Sequence, residues 1–498
     1  MKKITSLAFV LGLAGAQVAC NIEATTPAPS NTDPAPPAME GDDPMKPAPT
    51  PAPGKAIVRV IHGSPNAPSV DVYAKGSERP LVTGLMYGQT SAWLEIDPGA
   101  YEVELRAAPS KPTDPIAYKT GVLNIAAGVK ISAVAAGLLG SQDLDDAFRV
   151  VPVVESFGKA ETGTARVRVL HAGSDAPSVD LDVGNDDPAS PEVKGLARFA
   201  DTGADGVGLP ANTALAIGIA VGGQRVTAFT TPKLAEGADV IVIATGLLGK
   251  LPRMNDGFSL LAVGPSGSLG FIKQDPVVYA LHGSPNTPAV DAFVGNTEIV
   301  SNISFGQLSA PIQVQPGDYT LDFYAASAGS ARPAGSPAAS APTGNLAAGE
   351  RYLAIATGFL HDLNASQSFR LAGYREGFAL DSGKPQLRAI HSSPDAPKVD
   401  IGLATGNKID PVLFSGLSFG EASTDEGLGA FAGNLLVGVT PAAQNTSIVA
   451  RVTVPAQNSQ RAFVIAAGAL NPARGQAFRF FTVDTTPTPW TVTTSFTH

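Results

Sequence analysis

The sequence predicts an all-β chain of four tandem β-sandwiches, and two recurring markers carry this prediction. The first is a histidine followed by a proline-bearing turn and, nine residues later, an aspartate; its first copy reads IHGSPNAPSVDVY, from Ile61 to Tyr73. The marker histidines are His62, His171, His282 and His391. The second marker is an apolar run that ends in glycine, at Gly137, Gly246, Gly358 and Gly468. Successive histidines are 109, 111 and 109 residues apart, so the chain contains four repeats.

Each repeat has the composition of strands joined by turns. The chain has 53 Gly, 42 Pro and 16% charged residues, against roughly 25% charged in an average soluble protein. Short β-branched segments lie between Pro, Gly, Asn and Asp, and the first repeat has seven of them: AIVRVIH, SVDVYA, SAWLEI, YEVELRA, GVLNIA, KISAVAAG and FRVVPVV. Seven strands in about 100 residues predict an immunoglobulin-like sandwich. The alternative, an eight-bladed propeller, requires a sub-repeat near 55 residues, which the sequence lacks.

The amino-terminal segment is typical of a bacterial secretory leader. Residues 1–20, MKKITSLAFVLGLAGAQVAC, combine two lysines, an apolar run too short to span a bilayer and small residues before a cysteine. Cys20 is the single cysteine of the chain, so no intrachain disulfide forms. Its position resembles the acylated residue of lipoproteins, although Gln17 stands where leucine is usual. We therefore expect an extracytoplasmic lipoprotein anchored to a membrane through Cys20, with cleavage and secretion as the alternative.

The predicted domain boundaries follow the markers. After the leader, residues 21–54 are rich in Pro and Ala, with few side chains to bury, and predict a disordered tether. The four repeats are expected at 55–157, 164–264, 274–376 and 385–484, with a tail at 485–498. Repeats 1 and 3 share Pro-Gly-x-Tyr, at Tyr101 and Tyr319, which indicates a duplicated two-repeat block and a Tyr hydroxyl bonded to nearby backbone. The array is expected to be a rod.

The repeated histidine and aspartate are the candidate site residues. They are His62 and Asp71, His171 and Asp180, His282 and Asp291, and His391 and Asp400. Three chemical roles compete with a structural one. With Ser64, His62 and Asp71 have the residue types of a hydrolase triad, but the spacing of the serine changes in repeat 2. A metal site needs at least three ligands, and one His and one Asp per repeat supply two. A pH switch is the third role, because the pKa of histidine lies near neutral pH. The favoured interpretation is a hydrogen-bonded turn that fixes a domain-opening hairpin, with no catalytic residue, metal ligand or cofactor.

Loops are the remaining candidates for function. Two acidic loops, at Asp143/Asp145/Asp146 and Asp180/Asp182/Asp186/Asp187, have ligands suited to calcium but no EF-hand spacing, and the favoured interpretation is solvated loops. The loops after the marker glycines differ in every repeat: GSQDLDDA, GKLPRMNDG, HDLNASQS and NPARGQA. Their place at one end of a sandwich is where binding loops are displayed. A net charge of −10 without a Lys/Arg cluster beyond Lys2-Lys3 excludes nucleic acid as a partner.

The four His-to-Asp stretches, together with the glycine runs, resemble the bacterial family catalogued as domain of unknown function 4397, over residues 55–484. The resemblance implies an extracytoplasmic β-sandwich domain with no established reaction and no catalytic residues to transfer. The expected function is a monomeric, non-enzymatic envelope protein that binds an envelope polysaccharide or a surface protein. A purely structural stalk is the alternative, and a hydrolase is the second alternative.

Overall fold

The computed structural model describes residues 43–379 and 383–496. Within these residues there is no α-helix; a single 3-10 turn at Pro472–Arg474 interrupts an otherwise all-β chain. The predicted leader with Cys20, and the tether as far as residue 42, lie outside the described residues. The described chain divides into two compact units, unit 1 ending at Gln274 and unit 2 beginning at Asp275. Each unit contains two sandwiches, so the prediction of an all-β array of tandem sandwiches is confirmed.

Unit 1 contains sandwiches 1 and 2. The strands of sandwich 1 are β1 (Ala56–His62), β2 (Val70–Ala74), β3 (Val82–Leu85), β4 (Leu94–Ile96), β5 (Gly99–Tyr101), β6 (Val103–Ala107), β7 (Tyr118–Lys119), β8 (Leu123–Ile125), β9 (Lys130–Ala136) and β10 (Arg149–Val154). Those of sandwich 2 are β11 (Thr164–His171), β12 (Val179–Val183), β13 (Val193–Leu196), β14 (Val207–Pro210), β15 (Ala216–Val221), β16 (Gln224–Thr230), β17 (Asp239–Thr245), β18 (Ser259–Val263) and β19 (Ser268–Ile272).

Unit 2 contains sandwiches 3 and 4. The strands of sandwich 3 are β20 (Val277–His282), β21 (Val290–Val294), β22 (Thr297–Ile303), β23 (Ile312–Gln313), β24 (Gly317–Ala325), β25 (Ala339–Leu346), β26 (Arg351–Thr357) and β27 (Arg370–Arg375). Those of sandwich 4 are β28 (Gln386–Ser392), β29 (Val399–Thr405), β30 (Lys408–Leu417), β31 (Leu428–Gly429), β32 (Gly433–Pro441), β33 (Ala450–Ala456), β34 (Arg461–Ala467), β35 (Arg479–Asp484) and β36 (Thr491–Ser495).

Every sandwich is built on two main sheets of the same kind, and sandwich 1 has an additional two-stranded sheet of β5 and β8. In sandwich 1 the inner sheet has the order β10-β9-β1-β4 and the outer sheet the order β3-β2-β6-β7. The central pair of the inner sheet is parallel, with His62 opposite Ala135. The first and second strands therefore lie in different sheets, whereas in the immunoglobulin arrangement both belong to one sheet. The sandwich architecture matches the prediction, and the strand order is a different one.

The connection from the first to the second strand is an arch between the two sheets. The predicted hairpin is wrong, because β1 pairs with β4 and β9 while β2 pairs with β3 and β6. Pro65 and Pro68 lack the N–H groups that a hairpin ladder would need, which favours a turn that leaves the sheet. The arch brings the chain from the inner to the outer sheet at the end where β1 stops.

The inner sheets of the two sandwiches in each unit pack against each other. In unit 1 their shared core includes Ile61 and Val134 of sandwich 1 and Leu170, Ile243 and Leu261 of sandwich 2. In unit 2 the corresponding core has Leu281, Ile355, Ile390, Ile465 and Phe481. An inner sheet is thus covered on both faces, which explains why its central strands read as nearly continuous apolar runs. The two sandwiches of each unit therefore share one core.

Buried polar and aromatic groups cross the shared core of each unit. In unit 1 the Arg59 guanidinium is 1% exposed, and its Nη2 lies 2.6 Å from Glu155 Oε1. Its Nη1 donates to the Gly264 carbonyl of sandwich 2 at 2.8 Å. In unit 2 the Tyr279 ring stacks on Trp490, with 4.2 Å between ring centroids. A buried charge requires such partners, so Arg59 fixes how the two sandwiches of unit 1 pack together.

Three predicted boundaries differ from the structure. Strand β19 lies in the segment expected to link repeats 2 and 3, and β36 lies in the expected tail; each adds a fifth strand to an inner sheet. Residues 44 and 45, predicted to belong to the disordered tether, instead contact unit 1: Met45 packs on the core of sandwich 2, and the Pro44 carbonyl accepts from Ser266 N at 3.1 Å. Trp490 is buried in the shared core of unit 2, and Met45 is partly buried against the core of sandwich 2.

Candidate functional site

The four marker histidines occupy equivalent buried positions at the end of the first strand of each sandwich. All four side chains are at most 1% exposed. Each imidazole Nε2 faces a proline carbonyl six residues ahead, at 3.0 Å from Pro68, 2.8 Å from Pro177, 3.0 Å from Pro288 and 3.0 Å from Pro397. A carbonyl only accepts, so Nε2 carries the proton and closes the arch from within.

The buried environment keeps these imidazoles neutral. Burial lowers the pKa of all four histidines, and the hydrogen bond to the proline carbonyl opposes the shift only in part. In sandwiches 2 and 4 the other ring nitrogen, Nδ1, accepts from the backbone N of Gly173 and Ser393 at 3.3 and 3.4 Å. That bond requires an unprotonated Nδ1, in agreement with the lowered pKa.

The four aspartates bind backbone amides on either side of the second strand. Asp71 Oδ1 accepts from Gly84 N at 2.7 Å, and its Oδ2 accepts from Ser110 N at 2.7 Å. Asp291 and Asp400 repeat this arrangement, and Asp180 keeps the first of the two bonds, to Gly195 N at 2.7 Å. Hydrogen bonding to the carboxylate lowers the pKa of Asp71 against the opposing effect of its desolvation. Every marker histidine and aspartate thus holds backbone within its own sandwich.

In sandwiches 1, 3 and 4 a serine of the motif also bonds backbone, whereas the Oγ of Ser174 in sandwich 2 is buried without a partner. Ser64 Oγ donates to the Gly137 carbonyl at 2.6 Å, and Ser284 and Ser393 make the same bond to Gly358 and Gly468. Their hydroxyls are buried, and the proton points at a carbonyl rather than at the imidazole. A nucleophile needs its proton within reach of a base, so the predicted trio is not assembled as a catalytic triad.

The arch also latches the loop that follows the marker glycine, a contact the sequence did not reveal. In sandwich 1 Asn66 bonds Leu139, with Nδ2 donating to O at 3.0 Å and Oδ1 accepting from N at 2.8 Å. Asn286 makes the same pair with Leu360. Asp175 and Asp395 instead accept from two successive backbone amides. The near-constant spacing between histidine and glycine, 75 to 77 residues, was the available signal.

The marker glycines are required where this loop begins. Gly137 has φ +82°, and a Cβ there would lie 2.4 Å from the Ala147 carbonyl oxygen. The other three have φ between +84° and +93°, with the equivalent carbonyl 2.2 to 2.5 Å from the same point. Only glycine combines a left-handed backbone with so close an approach. The two ends of each loop are therefore pinned together, and the residues between them are displayed.

Within each unit, the two loops of this kind lie at the same end. They are residues 138–147 and 247–257 in unit 1, and 359–368 and 469–477 in unit 2, and are called the display loops below. In unit 1 Arg198 of sandwich 2 donates to the Asp145 carbonyl of the first loop at 3.0 Å. In unit 2 Arg474 donates to Gln367 Oε1 at 2.8 Å and pairs with Asp362, so that one loop contacts the other directly.

All four display loops present an exposed leucine. Leu144 is 82% exposed and Leu363 fully exposed, and Leu248 and Leu470 are 44% and 49% exposed. Single exposed apolar residues are ordinary on protein surfaces. An exposed leucine in each of four loops of otherwise different sequence makes the display loops the best candidate contact surface.

Two other kinds of feature are not found in the described part of the chain. Residues 43–379 and 383–496 contain no group of three or more His, Cys, Asp or Glu side chains placed to hold a metal. The same residues form no helix of the length and apolarity needed to cross a membrane.

The comparisons with known proteins point to one family. The family model described as "Domain of unknown function (DUF4397)" matches residues 56–182 and 276–402, more than half of the chain. Each match starts at the first strand of a unit and ends in the second strand of that unit's second sandwich. No curated protein matches the chain. Among solved structures, the Bacillus anthracis TIE protein is similar over 83% of this chain and 67% of that chain, with 10% identity and a TM-score of 0.13, too low to support a structural argument.

Proposed function

Since the chain belongs to the DUF4397 family, whose description assigns no activity, we propose that it is a non-enzymatic envelope protein that binds an envelope polysaccharide or surface protein through its display loops. The observation that carries this proposal is the pairing of the two loops at one end of each unit, each latched at both ends and bearing an exposed leucine. A rigid scaffold with variable loops at one end is the usual arrangement of a binding module.

The display loops of unit 1 lie opposite the end at which the chain enters. Strand β1 runs from Ala56 to His62, and β9, which leads into the first display loop, is parallel to it. Residues 43–46 bind the turn between β18 and β19, at the end where β11 and β17 begin. In the proposal, acylated Cys20 and the tether hold the protein to a membrane at this end of unit 1, and the two display loops of unit 1 lie at its opposite end.

The buried motif supports a non-enzymatic role. The imidazoles are covered, neutral and bonded to carbonyls, and the carboxylates of Asp71, Asp291 and Asp400 are at most 5% exposed. A general base must reach a proton of the substrate. Four buried imidazoles and three buried carboxylates support a structural function for the motif.

The experiment measures co-sedimentation of the purified chain with the envelope fraction of the cells that make it. Replacing Leu144, Leu248, Leu363 and Leu470 by Ser is expected to abolish binding. The matched control replaces four exposed apolar residues outside the display loops, Val122, Val226, Phe431 and Val449. Equal binding by both variants would overturn the proposal and favour a structural stalk, as would failure of the unaltered chain to bind any envelope fraction.

A further inference from the structure

At one position of the outer sheet, sandwich 2 has a carboxylate where sandwiches 1 and 3 have a buried aromatic ring. Two residues after the marker aspartate, sandwiches 1 and 3 have Tyr73 and Phe293, both at most 1% exposed on the outer sheet. Sandwich 2 has Asp182 there, on β12, and it is also only 1% exposed. A carboxylate enclosed this far needs compensating partners, because desolvation opposes its charge.

The contacts of Asp182 leave this requirement unmet. Its Oδ1 accepts from Asp186 N and Asp187 N at 3.3 and 3.4 Å, both long for such bonds. Its Oδ2 is buried without any hydrogen-bond partner. The side-chain oxygen of Asn185, in the turn after β12, is also buried without a partner. Two oxygens that can only accept are therefore enclosed under one turn.

These two side chains lie together over Gly218. A Cβ at position 218 would lie 2.5 Å from Asn185 Oδ1 and 3.4 Å from Asp182 Cβ, so the missing side chain leaves room for both. The strand register agrees, since Asp182 is the Cα partner of Gly218. The two side chains thus border one niche, and the backbone at Gly218 forms its floor.

The charges around the niche are mostly negative. Burial raises the pKa of Asp182, and the charges of Asp186 and Glu192 raise it further. From the neighbouring β16, Arg225 Nη2 donates to the Asn185 carbonyl at 2.8 Å. A cation bound to the two oxygens that lack partners would give each of them a ligand contact. It would also offset the repulsion among the neighbouring carboxylates.

We propose that Asp182 Oδ2 and Asn185 Oδ1 bind a calcium ion in the turn between β12 and β13 of sandwich 2. Calcium takes carboxylate, amide carbonyl and water oxygens in flexible number, whereas magnesium demands near-ideal octahedral geometry. The niche supplies one carboxylate and one amide oxygen from below, and the exposed carboxylates of Asp186 and Asp187 lie at its rim. Water completes the coordination, which agrees with the lack of a ready group of three acids in the described chain.

The test is calorimetric titration of the full chain with calcium chloride, alongside its thermal unfolding with calcium or with magnesium chloride. The unaltered chain is expected to bind calcium and to unfold at a higher temperature in its presence. D182N and N185A are each expected to weaken calcium binding by about tenfold or more. The control D205N removes one charge from a side chain that is 97% exposed and is expected to bind as the unaltered chain does.

Three outcomes overturn the proposal. Calcium affinity that is equal in D182N and the unaltered chain places any bound ion elsewhere, for example in the loop at residues 143–146. The absence of calcium binding by the unaltered chain rules the site out directly. A D182N chain that unfolds at a higher temperature, while calcium leaves the unaltered chain unchanged, shows that Asp182 is a buried neutral acid.

Discussion

Asn66 holds Leu139 through both atoms of its side-chain amide, donating from Nδ2 at 3.0 Å and accepting at Oδ1 at 2.8 Å. The bonds join the arch of sandwich 1 to the start of its display loop, 73 residues further along the chain. In sandwich 2 the same position is Asp175, which accepts from Leu248 N and Gly249 N. Asparagine and aspartate are thus matched to different loop backbones.

Exchanging these residue types is expected to destabilise unit 1 in both directions. N66D sets a carboxylate oxygen against the Leu139 carbonyl, and D175N sets an amide N–H against Gly249 N–H. Each change is expected to lower the free energy of unfolding by about 1 kcal/mol. Urea unfolding followed by Trp93 fluorescence, in a W490F background, measures it in unit 1. N434D, at an exposed position, is the control; an N66D protein as stable as that control would argue against the latch.

Two glycines at the first display loop, Gly137 and Gly140, separate the effect of a steric overlap from the effect of a left-handed backbone. Gly137 and Gly140 both have φ +82°, but a Cβ at 140 meets nothing within 4 Å. G140A is expected to lower the free energy of unfolding by about 1–2 kcal/mol through the left-handed backbone alone. G137A should lower it by a further 1–3 kcal/mol or so, because its Cβ overlaps the Ala147 carbonyl. Equal effects in urea unfolding would contradict the geometry.

The buried histidines predict a loss of stability in mild acid. Their folded-state pKa values are lowered below the ordinary value of about 6.5, so below that pH the unfolded chain binds more protons than the folded chain. Stability is expected to be constant above about pH 7 and to fall as pH drops through 6.5, by about 1.4 kcal/mol for each pKa unit of difference per histidine. The Asp71 carboxylate, whose pKa is lowered in the folded chain, loses its contribution only as the pH falls below its ordinary pKa of about 3.9.

The pH dependence is checked by urea unfolding of unit 1 at pH 7.5, 6.5 and 5.5. H62Q and H171Q keep an N–H that can face the proline carbonyl and remove the titrating group. Each is expected to reduce the slope of stability against pH. A flat profile over this range for the unaltered chain, or the same slope in both variants, would be incompatible with buried neutral imidazoles.

The segment expected to be a tail contributes to the shared core of unit 2. W490A removes the ring stacked on Tyr279 and is expected to lower the free energy of unfolding by about 3–5 kcal/mol. Circular dichroism in urea measures the unit 2 transition. F496A, which truncates a ring that is 63% exposed, is expected to change it little. Comparable stability of the two variants would show that β36 is dispensable.

Strands, turns and the number of repeats could be predicted from the sequence, because turn residues and β-branched runs have strong local conformational preferences. Pro-Gly-x-Tyr, for example, predicted a hydroxyl bonded to nearby backbone, and Tyr101 and Tyr319 both bond a carbonyl four residues earlier at 2.7 Å. The strand partners were not predictable in this way. The residues of β2 indicate a strand, but not that β1 belongs to the opposite sheet.

The packing of two sandwiches against each other leaves a pattern in the sequence, but the pattern has a second explanation. The runs AIVRVIH and KISAVAAG are apolar on both faces, which indicates a sheet covered on both sides, yet the same runs fit a strand of a single sandwich. The niche at Asp182 was visible only as an acidic run. The structure adds that this carboxylate takes the place of a buried aromatic ring and that one of its oxygens has no partner.

Exchange of one display loop tests most directly whether recognition resides in these loops and stability in the motif beneath them. Residues 359–368 and 138–147 have the same length and the same latch, through Asn286 to Leu360 and through Asn66 to Leu139. Co-sedimentation with the envelope fraction and the thermal midpoint are measured for a chain with residues 359–368 grafted in place of 138–147. The expected result is an unchanged midpoint and altered binding; unchanged binding at an unchanged midpoint would contradict the account.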